Sequence, residues 1–309
     1  MRIVSLLPSL TELVCALGRG DELVGVTHEC DFPPGVELLP HLTHSRIPDD
    51  ASSGAIDALV AEQGGSLYDL DAAGMAELRP DLILTQEQCD VCAVNEATVR
   101  RTAATLTSRP HVESVNPTDL PGVFAMFERV GELLDARSEA GALVARFEVT
   151  AAAIGRRLPG SRRPRTVLLE WFDPPYSSGH WNPEIIALGG GQEIMAQPGA
   201  RSRRLTWDAL QKADPDLIIL APCGFTLERS AIELPALLGS TEWAGLRAAQ
   251  SGNVVLADGS AYFSRPGPRL ETSLRIAAAA VAPDACGELA PAGGWRRLPP
   301  VGEAKNPLH

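Results

Sequence analysis

Arg165–Gly191 reads RTVLLEWFDPPYSSGHWNPEIIALGGG, and the order of residue types within it sets the class of fold. Thr166-Val167-Leu168-Leu169 is a short aliphatic, β-branched run bounded by Arg162, Arg163, Pro164 and Arg165, which predicts a buried strand. Asp173-Pro174-Pro175 must stop it, because two prolines remove ladder donors and bias the preceding residue away from the α region. Ser177-Ser178-Gly179 supplies turn chemistry, and Pro183-Glu184 opens a helix that carries Ile185, Ile186 and Leu188 and ends at Gly189. The pattern is strand, wide loop, helix. In open α/β sheets ligands sit in the loops beyond the carboxyl ends of strands. This loop holds Trp171, Phe172, Tyr176, His180 and Trp181, so two of the chain's five tryptophans fall in one strand-end segment.

Outward from this stretch the same grammar recurs. Ile3–Leu7 reads as a strand, Pro8-Ser9 as a turn and Leu10–Leu17 as a helix closed by Gly18, with Ser9 or Thr11 able to cap it. Arg79-Pro80-Asp81-Leu82-Ile83-Leu84 reappears as Asp214-Pro215-Asp216-Leu217-Ile218-Ile219-Leu220, each copy preceded by a helix and followed by a Cys-bearing loop. Two echoes in one order predict two similar α/β lobes. Further strands are expected at Leu23–Val26, Val112–Val115 and Val254–Ala257, and helices at 55–62, 72–78, 96–106 and 269–282. Thr118-Asp119 caps a helix reaching Leu134. Ser138–Leu158 is amphipathic, the longest helix, and has no strand of its own, which suits a stiff connector. The expected division is an N-terminal lobe at 1–117, a connecting helical segment at 118–160, a C-terminal lobe at 161–285 and a loosely held Pro/Gly-rich tail at 286–309.

Composition narrows the function. The 309 residues are 45% apolar and 21% charged, ordinary globular values with ample core for two lobes. A net charge of −12 argues against nucleic acid and against an anionic membrane surface as partners. No run approaches the ~20 apolar residues of a membrane-crossing helix, so no membrane insertion is expected. Only about five apolar residues precede Pro8, too few for the core of a signal peptide, and the expected location is the cytoplasm. Six cysteines are too sparse for a disulfide scaffold. Gly189-Gly190-Gly191 follows a helix instead of opening one, so it is a cap and not a phosphate loop.

Trp171, Tyr176, Trp181, Phe225 and Phe263 are placed on loops after strands of the second lobe, where they can stack a large flat ligand or fill core. His180 lies among them and is either a hydrogen-bonding loop residue or an imidazole facing a ligand's metal. Cys89-Asp90-Val91-Cys92 has the spacing that lets two sulfurs reach one zinc or iron ion or each other. Cys30, two residues after His28, follows another strand of the first lobe, so the four side chains His28, Cys30, Cys89 and Cys92 can converge at one mouth. Arg265 and Arg269 flank Pro266-Gly267-Pro268, where a guanidinium can meet a ligand amide or phosphate, or form an ion pair.

The pieces Val4–Glu12, Val24–Thr27 with Asp31-Phe32-Pro33, Pro80–Ile83, Pro174–Gly179 and Arg265–Arg269 together resemble the helix-linked class of periplasmic-type substrate-binding proteins, the cobalamin and iron-siderophore group. The opening turn followed by Thr-Glu, and the Pro-Pro-Tyr-Ser-Ser-Gly loop, are most similar to its cobalamin-binding branch. The resemblance implies two Rossmann-like α/β lobes joined by one long helix, with a small-molecule ligand, a cobalamin-like corrinoid, held in a cleft between lobes and no catalysis. The candidate ligand contacts are Pro8, Ser9, Cys30, Gln86 and Cys89 in the first lobe and Trp171, Tyr176, His180, Trp181, Phe225, Phe263 and Arg265 in the second. An ABC transporter permease is a partner only if the protein is exported; otherwise binding, storage or delivery of the corrinoid inside the cell is expected. A siderophore or haem ligand, and a metal- or thiol-dependent activity using Cys30, Cys89 and Cys92, are the alternatives.

Overall fold

The computed structural model describes residues 1–48, 50–63, 67–87, 94–158, 160 and 162–302. The chain divides into two compact units, Met1–Pro117 with Pro121–Val144, and Thr118–Leu120 with Ala145–His309.

The first unit contains β1 (Ile3–Ser5), α1 (Pro8–Ala16), β2 (Leu23–Gly25), β3 (Thr43–Ser45), α2 (Ser53–Gln63), β4 (Tyr68–Leu70), α3 (Ala72–Leu78), β5 (Leu82–Gln86), α4 (Glu96–Thr105), β6 (His111–Val115) and α5 (Leu120–Leu133). Its sheet is wholly parallel in the order β2-β1-β5-β6. Strands buried on both faces need continuous apolar runs, and Ile3-Val4 and Leu82-Ile83-Leu84 are almost fully enclosed. Val4, Leu6, Met75, Ile83 and Val99 share one core cluster. The helix predicted from Leu10 starts two residues earlier, because Pro8 has the φ of a first helical residue and no N–H to leave unpaired. Leu7 is its N-cap without a side-chain bond, so neither Ser9 nor Thr11 caps; the Thr11 hydroxyl instead donates to Ser5 Oγ at 2.8 Å. The polar stretch after His41, expected to hold one helix, also forms the antiparallel pair β3–β4.

α6 (Arg137–Arg157) begins in the first unit and ends in the second, one residue from the predicted limits at each end. The second unit continues with β7 (Arg165–Trp171), β8 (Tyr176–Ser177), α7 (Asn182–Leu188), β9 (Gln192–Glu193), α8 (Trp207–Ala213), β10 (Leu217–Leu220), α9 (Leu227–Leu238), α10 (Thr241–Ala244), α11 (Arg247–Gln250), β11 (Val254–Ala257), α12 (Leu270–Val281), α13 (Pro283–Cys286) and β12 (Trp295–Leu298). Its sheet runs β12-β11-β10-β7-β8, with β9 also pairing β7. β7, β9, β10 and β11 are parallel, whereas β8 and β12 are antiparallel edges. The tail expected to be loosely held is therefore built in as far as Leu298: Trp295–Leu298 pairs with Val254–Ala257, Leu298 is buried, and Trp295 Nε1 donates to Pro291 O at 2.9 Å. Its aromatic and aliphatic residues supply strand propensity that the surrounding Pro and Gly mask.

The internal repeat is physical. α3 and α8 are each seven residues long, and each is N-capped by a side chain: Asp71 accepts from Gly74 N, and Thr206 from Ala209 N. Each ends on a left-handed residue, Arg79 (φ 44°) and Asp214 (φ 41°). The acid after each following proline then accepts from the first strand: Arg2 N to Asp81 at 2.8 Å, Arg165 N to Asp216 at 2.9 Å. In both sheets the chain crosses from one side of the first strand to the other, at β1/β5 and at β7/β10. Such switch points open a crevice at the carboxyl ends of the strands.

Candidate functional site

Each unit presents its own strand-end edge. In the first unit the switch point places Pro8 and Ser9 at the start of α1 and Gln86 at the end of β5. Pro8 is partly exposed; Ser9 and Gln86 are buried, and Ser9 Oγ has no hydrogen-bond partner among the described residues. Cys30 is enclosed as well. Its sulfur lies 3.1 Å from Thr11 Oγ1 and 3.3 Å from Thr27 Oγ1, in a small cluster with Val26 and Val36. It faces threonine hydroxyls and apolar carbon, and not an open mouth. Cys89 and Cys92 lie outside the described residues, and among the described residues no three His, Cys, Asp or Glu side chains converge to hold a metal.

Two first-unit rings stand at this edge, His28, which the sequence groups with Cys30, Cys89 and Cys92, and Tyr68, which it does not mark. His28 Nδ1 is 2.6 Å from Thr43 Oγ1, and its ring lies 5.2 Å from that of Tyr68. Tyr68 had no motif to mark it, because the strand that presents it is three residues long and embedded in a polar segment.

The second unit is richer. β7 extends two residues past the predicted run, so Trp171 is a strand residue, half-buried, with its ring 5.1 Å from Phe225. The Arg229 guanidinium lies over Phe225, 4.5 Å from the ring centroid, and also bonds Glu233 at 2.8 Å. Trp171, Phe225 and Arg229 thus make a layered contact at the β7/β10 switch point. Tyr176, half-buried on β8, sits opposite Trp171 in the ladder.

The loop that follows is tied down by backbone. Ser177 N donates to Arg203 O at 2.9 Å, His180 N to Ala200 O at 2.7 Å and Gly199 N to His180 O at 3.1 Å. His180 adopts φ 56°, a left-handed conformation that costs a non-glycine residue about 1 kcal/mol. Its ring is half-buried, and burial first, then the positive Arg201, lower its pKa, so the neutral imidazole is favoured. At the base of the segment the Glu193 carboxylate accepts from Leu168 N and Met195 N at 3.0 and 2.8 Å, completing the edge of β7. Burial pushes that carboxyl up to about 7 against the pull of these N–H groups.

The remaining second-unit candidates face inward. Trp181 is 4% exposed and donates Nε1 to Phe263 O at 2.8 Å; Phe225 and Phe263 are 6% and 1% exposed. These three rings, expected on ligand-facing loops, are core residues: Trp181 precedes the buried α7, and Phe263 turns inward at φ 68° with its N–H on Ser273 Oγ. Arg265 is also buried, with Nη2 3.1 Å from Ser260 Oγ. Of the second-unit set, Trp171, Tyr176 and His180 remain partly exposed.

Two α/β units, each with a strand-end edge and linked through one long helix, define a substrate-binding protein of the helix-linked class. Residues 3–261 match the periplasmic binding protein family, and the chain belongs to it. It is 23% identical over 278 residues to vitamin B12-binding proteins of Yersinia pestis (strain Pestoides F) and Yersinia pseudotuberculosis (serotype O:1b, strain IP 31758), covering 87% of this chain and 82% of theirs. Among solved structures it is similar to a periplasmic heme binding protein from Pseudomonas aeruginosa, with TM-score 0.68, 21% identity and coverage of 92% and 93% of the two chains. The periplasmic heme-binding protein RhuT from Roseiflexus sp. RS-1 gives 0.69, 23%, 92% and 98%. The periplasmic vitamin B12 binding protein BtuF of Vibrio cholerae gives 0.64, 19%, 91% and 96%. These structural likenesses establish the shared fold. No helix among the described residues is long and apolar enough to cross a membrane.

Proposed function

We propose that this protein binds a cobalamin-like corrinoid, without turning it over, at strand-end edges that include Trp171, Tyr176 and His180. The observation that carries this is the wall at the β7/β10 switch point, where the partly exposed Trp171 rests on buried Phe225 with Arg229 behind it. A rigid ring on a packed support offers flat apolar area with little entropy to lose, and the Arg229 guanidinium, paired with Glu233, braces Phe225 beneath it. A corrin presents a large flat face of the kind such a ring can stack on. Similarity to vitamin B12-binding proteins over most of the chain supports the choice.

Haem is the second reading, supported by the haem-binding structural neighbours and by the same wall, which suits the flat face of a porphyrin. Titration with cyanocobalamin, cobinamide, haemin and a ferric siderophore, followed by tryptophan fluorescence and ligand absorbance, separates the readings. Corrinoid binding tighter than about 10 μM, roughly −7 kcal/mol, with weaker haemin binding is expected. Exclusive haemin or siderophore binding would reassign the ligand, and no binding by any of them near millimolar would end the proposal. Axial contact of His180 with cobalt is read from the same data: a shifted corrinoid spectrum in the wild type and a free-ligand spectrum in His180→Ala. Zinc or iron held through Cys89 is tested by metal analysis of chelator-free protein and of Cys89→Ser.

A further inference from the structure

We infer that Cys15 and Cys30 form a thiol pair that closes to a disulfide under oxidation, tying α1 to the segment after β2. Both cysteines are reduced, Cys30 buried and Cys15 partly exposed. Thr11, one helical turn before Cys15 on α1, touches the Cys30 sulfur at 3.1 Å. Residues four apart on a helix share a face with Cβ atoms about 5–6 Å apart, which brings Cys15 alongside the Cys30 cradle. The packing agrees: Cys15 and Leu39 pack against the cluster of Val26, Cys30 and Val36. The two thiols also sense each other electrostatically: after burial, the charge of Cys30 is the next cause that raises the Cys15 pKa.

The order of reaction follows from exposure. With glutathione disulfide as oxidant, the Cys15 thiolate attacks one glutathione sulfur, the glutathione S–S bond breaks and the first glutathione leaves as a thiol. The Cys30 sulfur then attacks the Cys15 sulfur of the mixed disulfide, and the second glutathione leaves, taking up the Cys30 proton. Two protein thiols lose two electrons and two protons, and one glutathione disulfide becomes two thiols. Partial burial, and then the charge of Cys30, raise the pKa of the attacking Cys15 thiol, so closure is slow at neutral pH and accelerates as pH rises.

Full-length wild-type protein is incubated with glutathione disulfide, alkylated without reduction, digested and mapped by mass spectrometry. The expected result is the loss of two alkylatable thiols, a linked peptide pair joining Cys15 to Cys30, and the same link in a Cys89→Ser/Cys92→Ser variant. A Cys89–Cys92 or Cys30–Cys89 link with Cys15 still alkylatable overturns the proposal. Glutathione retained on Cys15 without resolution by Cys30 overturns it as well. The mapping needs no cysteine variant to fold, so a negative result is decisive on the wild-type chain.

Discussion

Gly179→Ala offers a direct test of whether the loop carrying His180 is held by the segment at 199–203. A Cβ at this position would stand 2.5 Å from Ser202 N, 2.6 Å from Ala200 O and 2.8 Å from the Arg201 carbonyl carbon. All three are backbone atoms, so no rotamer change can relieve the contact. The structure then has two responses. It can compress, which for an added methyl in a packed site costs about 1–3 kcal/mol. Or the 199–203 segment can lift away, giving up the Ser177–Arg203, His180–Ala200 and Gly199–His180 backbone bonds, each worth on the order of 1 kcal/mol net. Both routes converge on about 2–3 kcal/mol, a Tm decrease of roughly 5–10 °C for a unit of this size. Gly141→Ala is the matched control: its Cβ meets nothing within 4 Å on α6, and alanine favours a helix by up to about 1 kcal/mol. Thermal unfolding gives the global cost, and hydrogen exchange at the His180 and Gly199 amides gives the local one. A Gly179→Ala protein that melts like wild type with unchanged exchange at those amides would show that the segment does not constrain His180.

Trp171→Ala and Trp181→Ala should separate binding from folding. Loss of the partly exposed Trp171 ring is expected to weaken ligand binding by about 1–3 kcal/mol with little change in Tm, whereas loss of buried, hydrogen-bonded Trp181 costs about 3–5 kcal/mol of stability. Isothermal titration beside thermal melts checks both, and reversed roles would move the ligand wall to Trp181. For His180 the folded pKa lies below the unfolded value of about 6.5, so the fold binds this proton less well than the unfolded chain does. Its contribution to stability is therefore complete above about pH 6.5 and declines as pH falls from there towards the folded pKa. A Tm-versus-pH profile for His180→Gln should lose that slope, and an unchanged profile would show that the imidazole titrates as if in solvent.

What the sequence made legible follows from which signals are local. Buried parallel strands need contiguous apolar residues, so Val254–Ala257 and Leu217–Leu220 could be read directly, and the helix at Ala72–Leu78 was placed to the residue although its Asp71 cap went unmarked. Partner-dependent structure was not readable. β8 and β12 exist only because β7 and β11 offer open edges, and nothing in Tyr176-Ser177 or Trp295–Leu298 alone announces those partners. The same limit governs the site. Rings could be assigned to the right segments, but burial is a tertiary property: Trp171 and Trp181 lie in the same segment, yet Trp171 is partly exposed and Trp181 is buried. Arg229 escaped notice because one arginine on an amphipathic helix carries no sequence signal until Phe225 is seen beneath it.

The repeated Pro-Asp-Leu-Ile element shows how a local signal can be confirmed energetically, because its two copies have the same backbone role and different surroundings. Asp81 accepts from Arg2 N, and Asp216 accepts from Arg165 N. Asp216 additionally meets Arg247 at 2.8 Å and Arg162 at 3.2 Å. The backbone bond first, and then Arg247, hold its carboxyl below the usual range. Asp81→Ala therefore removes one charge-assisted bond, about 1–2 kcal/mol. Asp216→Ala removes the same bond together with two partly exposed ion pairs, each adding no more than about 0.5 kcal/mol after solvent and salt screening. The expected order is a larger loss at Asp216 by roughly 0.5–1 kcal/mol at low salt, with the gap closing in 1 M salt, where the Debye length is about 3 Å, and the shared backbone term remaining. Because the Asp216 carboxyl is depressed in the fold, its stabilisation is present above the unfolded carboxylate pKa of about 3.9 and is lost as pH falls through the lower folded value. Chemical denaturation of both variants at two salt concentrations measures these differences. Equal losses at low salt, or a gap that persists in 1 M salt, would show that the two acids do not share one backbone role supplemented at Asp216 by charge.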